Sequence, residues 1–230
     1  MRNRTVMGIQ LDSDVRWFDL GSVNCFLVED DGVLTLVDAG MPSHADDVES
    51  EIEAAGHAVA DVERILITHY DFDHVGSLSK LPDLDAPVYV GEADTPLLTG
   101  AKLPRWWNHK GLLQLATRPF LDRPELTIRP VRDGDTVGSF TAYHTPGHTP
   151  GHTVFLSESL GVAFLGDLVR EKNGRLEASP WIVSYDTDRV DASVRSLADR
   201  APDFEVAAMG HGVPFEHEGS ERLRELARSL

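Results

Sequence analysis

The chain is short of three things: it has one cysteine, four lysines against seventeen arginines, and no apolar run near the length of a membrane span. A lone cysteine cannot form an intrachain disulfide, which fits a reducing compartment. Cys25 lies in Val23-Asn24-Cys25-Phe26-Leu27-Val28 and reads as a packing residue in a buried strand, not a catalytic thiol. Without about 20 consecutive apolar residues no helix crosses a bilayer, so no membrane partner is expected. The segment from Met1 to Val6 is basic, but no long apolar region follows it. No signal peptide is read there, and a cytoplasmic protein is expected. No linker rich in proline, glycine or serine interrupts the chain, so residues 1–230 read as one domain.

Positive charge is scarce as well. Twenty-one basic residues face 38 acidic ones, for a net charge of −17. Phosphate binding needs basic surface, so nucleic acid is not expected as a partner. Many carboxylates with few lysines suit a halophilic surface, where salt screens self-repulsion. A small-molecule substrate remains as the expected partner, and a homodimer is allowed.

What the chain does have is ligand-type residues placed after apolar runs. Thr68-His69-Tyr70-Asp71-Phe72-Asp73-His74 puts four such side chains within six residues, directly after Ile65-Leu66-Ile67. A strand ending in that cluster presents nitrogen and oxygen ligands from one tight loop. The pattern recurs with Asp38 in Val37-Asp38-Ala39-Gly40, His148 in Thr145-Pro146-Gly147-His148, Asp167 in Leu165-Gly166-Asp167 and His211 in Met209-Gly210-His211. Glycine beside most of these groups allows close approach of backbone to ligand. Repetition along the chain points to one shared site.

Apolar periodicity supplies the framework. Residues 24–29 and 33–38 read as strands joined by the turn Asp30-Asp31-Gly32. Residues 44–56 read as a helix with Ser43 as N-cap and Gly56 as stop. A strand over 64–68 delivers the metal loop, a short helix over 74–81 follows, and 88–90 is a strand. Residues 93–124 differ in character, with Trp106, Trp107, His109 and several leucines bracketed by Pro104, Pro119 and Pro124, and read as a helical insertion. Further strands are read at 127–131, 140–144, 153–156, 162–165 and 204–209, with helices at 188–200 and 220–229. The two halves look alike, which suggests two sheets packed face to face with helices outside.

Taken in order, Asp38, the loop 69–74, the turn 145–148, Gly166-Asp167 and Gly210-His211 resemble the metallo-beta-lactamase superfamily across nearly the whole chain. The resemblance implies an α/β (α+β) fold, a four-layer αβ/βα sandwich of two mixed sheets. It implies two divalent metal ions, Zn2+ first, with Mn2+ or Fe2+ allowed. One ion would use His69, Asp71 and His148, the other Asp73, His74 and His211, with Asp167 bridging. The family's loop usually reads His-x-His-x-Asp-His, and here Asp71 stands at the second histidine. A harder oxygen ligand shifts preference from zinc toward manganese or iron.

The resemblance implies a metallo-hydrolase acting on a small ester-like substrate, such as a thioester or lactone, through a metal-activated water that Asp73 or Asp167 would orient. Asp38 is expected behind the ligands, holding the loop or fixing an imidazole tautomer. Arg170, Tyr185, Trp106, Trp107 and His109, with Arg105, are candidate substrate contacts. His144 and His152 read as structural or supporting histidines. Two alternatives stand beside this. One is a mononuclear iron persulfide dioxygenase using His69, His148 and Asp167. The other is a non-catalytic metal-binding protein with a degenerate site.

Overall fold

Side chains along the strand Asn24–Asp30 alternate between two apolar clusters. Cys25 and Leu27 join one, and Phe26 and Val28 join the other. The period of two is that of a strand buried on both faces, so its sheet must be covered on both sides. The structure, a computed structural model, describes residues 7–230. The reading made on Met1 to Val6 lies outside the described residues.

Seven strands form the first sheet in chain order: β1 (Met7–Asp12), β2 (Val15–Asp19), β3 (Asn24–Asp30), β4 (Val33–Val37), β5 (Arg64–Ile67), β6 (Val88–Gly91) and β7 (Ile128–Val131). The first four pair antiparallel, and β4 through β7 pair parallel. The second sheet is built from β8 (Thr136–Val137), β9 (Phe140–His144), β10 (Thr153–Ser157) and β11 (Val162–Gly166), with the later strand Val206–Met209 pairing parallel to β11 at its edge. A separate hairpin is made by β12 (Val169–Lys172) and β13 (Arg175–Ala178), which makes Val206–Met209 β14. The helices are α1 (Ala45–Ala54), α2 (Phe72–Val75), α3 (Thr95–Leu98), α4 (His109–Thr117), α5 (Thr187–Arg200) and α6 (Gly219–Ser229).

Three apolar clusters separate four layers. Val48 and Ile52 of α1 pack on the outer face of the first sheet with Ile65, Ile67 and Val88. Phe26, Val37 and Leu66 meet Phe140, Phe155 and Phe164 between the sheets. Val190, Val194 and Leu197 of α5, with Leu223 and Leu226 of α6, cover the second sheet. This is the expected αβ/βα sandwich. Cys25 is fully buried in the first cluster, and burial pushes its thiol well above its ordinary pKa, which suits a packing role.

Local departures have local causes. Pro42 opens a 3-10 turn over Pro42–His44, so α1 begins at Ala45 and His44, not Ser43, takes the cap position. Gly56, at φ +93°, ends the helix as expected. The helix after the metal loop starts inside it, with Asp71 as N-cap, and stops at Val75. The 93–124 segment carries α3 and α4 rather than one long helix. Asn108 caps α4 by accepting from the Lys110 and Gly111 amides at 3.0 and 3.4 Å.

Helix α4 is turned inside out. Its buried face carries Lys110 and Gln114, only 4% and 3% exposed, while Leu112 and Leu113 face solvent at 54% and 48%. A helix that buries a lysine and exposes leucines is held by something other than apolar burial.

Candidate metal centre

The ligand-type residues meet where strands end. Asp38 follows β4, residues 69–74 follow β5, Asp167 follows β11 and His211 follows β14, while His148 lies in the β9–β10 connection. In open α/β sheets the carboxyl ends of parallel strands form the natural crevice for a site. Two glycines are required by the crowding there. A Cβ on Gly166, which sits at φ +51°, would lie 2.7 Å from Thr68 Cβ and 2.8 Å from His152 Nε2. A Cβ on Gly210 would collide with Asp167 Oδ1 and sit 2.7 Å from His74 Cε1. Gly210→Ala is therefore expected to loosen a bound metal about tenfold or more, within the range found for disturbed ligand support. Competitive titration with a chromophoric chelator measures it, and unchanged affinity would contradict the packing argument.

Asp38 orders the ligands from behind. It is 2% exposed and held at φ 56°. Its Oδ1 accepts from the Thr68 amide at 2.9 Å, and its Oδ2 accepts from Thr68 Oγ1 and His74 Nδ1, each at 2.8 Å. A carboxylate can only accept, so His74 Nδ1 is the donor and Nε2 is turned to the site. Thr68 Oγ1 spends its proton on Asp38 and so accepts from His69 Nδ1, 3.0 Å away. One carboxylate thus fixes the direction of two imidazoles. His211 Nδ1 lies 2.5 Å from the Ser22 carbonyl, and His148 Nδ1 lies 2.9 Å from Ser179 Oγ.

Three inward atoms are left over. His69 Nε2, His74 Nε2 and Asp167 Oδ1 are buried without a hydrogen-bond partner. The ligand atoms of His69, His74 and Asp167 all lie within 4.8 Å of one another, as do those of Asp73, His74 and His211. Buried polar atoms are rarely left unpaired, and converging lone pairs are what a cation uses. Charge agrees with geometry. Burial opposes charge on His74, but Asp38 and Asp167 outweigh it and push its pKa well up. Asp167 raises His211 to about 9 against the effect of burial. Burial also opposes the charge on Asp167, yet His211 and His74 hold that carboxyl well below the usual range. The cluster calls for positive charge, as protons or as a divalent cation.

The other expected set, His69, Asp71 and His148, is also gathered, with ligand atoms within 4.8 Å. It has an additional occupant. Lys110 reaches in from α4 and pairs with Asp71 Oδ2, with its Nζ 3.3 Å from His148 Nε2. Gln114 Nε2 donates to Asp71 Oδ1 at 2.8 Å and to the Tyr70 carbonyl at 2.7 Å. His148 Nε2 lies 2.9 Å from Asp71 Oδ2. Burial, reinforced by the charges of Lys110 and His69, pushes His148 down to about 3, so it is neutral at physiological pH. Burial would raise Asp71, but Lys110 and the two imidazoles hold it well below the usual carboxylate range. The residues fit a cation on the His74–Asp167 side and fit one poorly on the Asp71 side.

Three supporting residues had no place in the sequence reading. Lys110 and Gln114 are two. Asp94 is the third, fully buried and accepting from the Tyr70 amide at 3.0 Å, Thr149 Oγ1 at 2.6 Å and the Gly151 amide at 2.7 Å. It ties the 69–74 loop to the 145–151 turn. The available signal was weak: Lys110 and Gln114 are spaced four apart on a capped helix, and Asp94 precedes Thr95-Pro96. His152 is structural as expected. Its Nδ1 meets Thr145 Oγ1 at 2.8 Å and its Nε2 accepts from the Asp167 amide at 3.1 Å.

Residues 18–211 match the model of the metallo-beta-lactamase superfamily. The chain belongs to that superfamily. The protein YobT of Bacillus subtilis is 31% identical over 213 residues, 88% of each chain. The probable metallo-hydrolase YflN of the same organism is 29% identical over 217 residues, 85% of this chain and 81% of that one. Among solved structures, TTHA1623 in a di-iron-bound form overlays with a TM-score of 0.66 at 26% identity, covering 96% of this chain and 98% of its own. Superfamily membership and YflN's description place metal-binding and metallo-hydrolase relatives around this chain.

In this superfamily member part of the His/Asp cluster opens into a cavity of about 560 Å³. Its lining includes Asp71, Asp73, Lys110, Asp167 and His211 with Met41, Leu113, Ile182 and Val183. Of the proposed substrate contacts, Arg170 lines this cavity and pairs with Glu177 at 3.1 Å. Tyr185 does not line it; its hydroxyl donates to Gln114 Oε1 at 2.7 Å, so it braces the helix. Trp106 and Trp107 stand on the surface, each 69% exposed, in a T-shaped pair outside the cavity lining. His109 stacks on Trp181 with ring centroids 4.2 Å apart. Arg105 borders a smaller recess with Trp107 and Tyr185.

Proposed function

We propose that the chain is a metal-dependent hydrolase acting on a small ester-like substrate, a thioester, lactone or comparable activated carbonyl. The observation that carries this reading is the convergence of the His69, His74 and Asp167 atoms that lack a hydrogen bond, beside a largely apolar cavity that Asp167 lines. Those residues, with Asp73 and His211 beside them, would hold the cation. What a bound divalent cation supplies there is polarisation of a carbonyl oxygen and a water acidified towards pKa 7 or so. Imidazole and carboxylate together suit zinc, with manganese and iron allowed.

The rest follows from the chain's own groups. Asp73 is half-buried on the cavity wall, with Oδ2 3.6 Å from His211 Nε2. It is placed to orient an attacking water and to take up its proton. Asp167 is fixed by the bond from its amide to His152 and presents its carboxylate to both histidine pairs. Lys110 brings a second positive charge to the cavity wall, where a carbonyl oxygen gains negative charge in the transition state. Met41, Leu113, Ile182 and Val183 offer an apolar wall for the acyl or leaving group.

The persulfide dioxygenase alternative has less support, because one member of its triad, His148, has Nε2 engaged with Asp71 and Lys110. The test is a panel of aryl esters, thioesters and lactones with metal-loaded protein, repeated after chelation. Turnover that chelation removes and metal restores is expected. A loaded protein inert on the whole panel, yet consuming oxygen with a persulfide when loaded with iron, would overturn the reading.

A further inference from the structure

We infer, resting on the reading of this pocket as a metal site, that the chain binds a single divalent cation and that the Lys110 ammonium is the built-in cation of the second position. This departs from the two ions that the family resemblance implies.

The two ligand sets differ in what is left free. On the His74–Asp167 side, His74 Nε2 and Asp167 Oδ1 make no hydrogen bond and stand 3.4 Å apart. On the Asp71 side both carboxylate oxygens are taken, Oδ1 by Gln114 and Oδ2 by Lys110 and His148. His148 Nε2 has neighbours at 2.9 and 3.3 Å. Of that set only His69 Nε2 makes no hydrogen bond; it stands 3.3 Å from Asp71 Oδ2 and also lies within reach of the His74–Asp167 group. The free lone pairs converge on one cation, not two.

The lysine is part of the construction and not a passing surface chain. Its residue is 4% exposed, and its helix is capped by Asn108, whose Nδ2 also donates to the Tyr185 carbonyl at 3.0 Å. Gln114, one turn on, is braced by the Tyr185 hydroxyl. A buried ammonium needs an anion beside it, and Asp71 supplies one where the family's usual histidine would not. The aspartate at 71 and the lysine at 110 therefore explain each other. A divalent ion seated on Asp71 would sit against the ammonium in a poorly screened interior, where like charges repel strongly. One divalent ion and one ammonium also balance the three carboxylates of Asp71, Asp73 and Asp167.

The experiment is a stoichiometric titration of stripped protein with Zn2+ and with Co2+, by calorimetry and by elemental analysis after desalting, on wild type and Lys110→Met. Cobalt absorption bands report the ligand set independently of turnover. Wild type is expected to take one equivalent, and Lys110→Met a second, at least 100-fold tighter than any second binding by wild type. If Lys110→Met fails to fold, Asp71→His combined with Lys110→Met removes both buried charges together and carries the same expectation. Two tight equivalents on wild type would overturn the inference while leaving the metal-site reading intact. One equivalent on every variant that folds would also overturn it, because the lysine would not be what excludes the second ion. No binding at all would sink the metal-site reading itself.

Discussion

Asparagine at position 38 should cost the protein its metal well before it costs the fold. The amide keeps the size of the side chain and tolerates the φ of 56° at this position. It can accept on one side only, whereas Asp38 accepts on both, from Thr68 and from His74 Nδ1. With its NH2 toward His74 Nδ1 the bond reverses and the ring proton moves to Nε2, the atom aimed at the cation; with its NH2 toward the Thr68 amide instead, that amide loses its acceptor and the loop its anchor. Metal affinity is expected to fall about 10- to 100-fold, as for other lost supports of ligating histidines. Chelator competition measures it, with circular dichroism as the control. Affinity within twofold of wild type would mean Asp38 does not set the tautomer. Asp38→Ala should in addition lose about 3 kcal/mol of stability, since it strands buried donors.

The larger catalytic loss is expected from Asp167→Ala. This carboxylate faces four imidazoles, with His211 at 3.1 Å, His74 at 3.4 Å, His148 at 3.5 Å and His69 at 4.0 Å. No other side chain in the cluster meets all of them. Its removal should lower kcat/KM on the best ester of the panel by more than about 100-fold, beyond the range seen when a merely supporting group is lost. Metal content measured on the same sample separates loss of the ion from loss of orientation. Activity within tenfold of wild type would remove Asp167 from the site.

The framework was legible because its signals are local. Apolar runs such as Ile65-Leu66-Ile67 end in ligand-type residues, so the strand and the site it delivers are read from the same few positions. The ends of α1 and α2 slipped because Pro42 and Asp71 set local turns that periodicity does not see. The β12–β13 hairpin escaped because Val169-Arg170-Glu171-Lys172 has no apolar alternation. The hidden half of the site is a different matter. Lys110 and Gln114 meet Asp71 across 39 and 43 residues, and α4 leaves Leu112 and Leu113 exposed while it buries these two polar groups, so its apolar residues do not mark the face that touches Asp71. The paired tryptophans drew notice for the same reason and stand in solvent.

The inverted helix has a consequence for how the molecule meets its surroundings. Surface pairs such as Arg132–Glu92, with side chains 72% and 54% exposed, fade as dissolved ions crowd around them. The Lys110–Asp71 pair is 5% and 7% exposed, and salt screens a pair so buried far less. One of only four lysines in a strongly acidic chain is thus nearly buried, working as a rivet. The segment that lines the cavity is fastened by a charge that brine loosens far less than the ionic stitching on the outside.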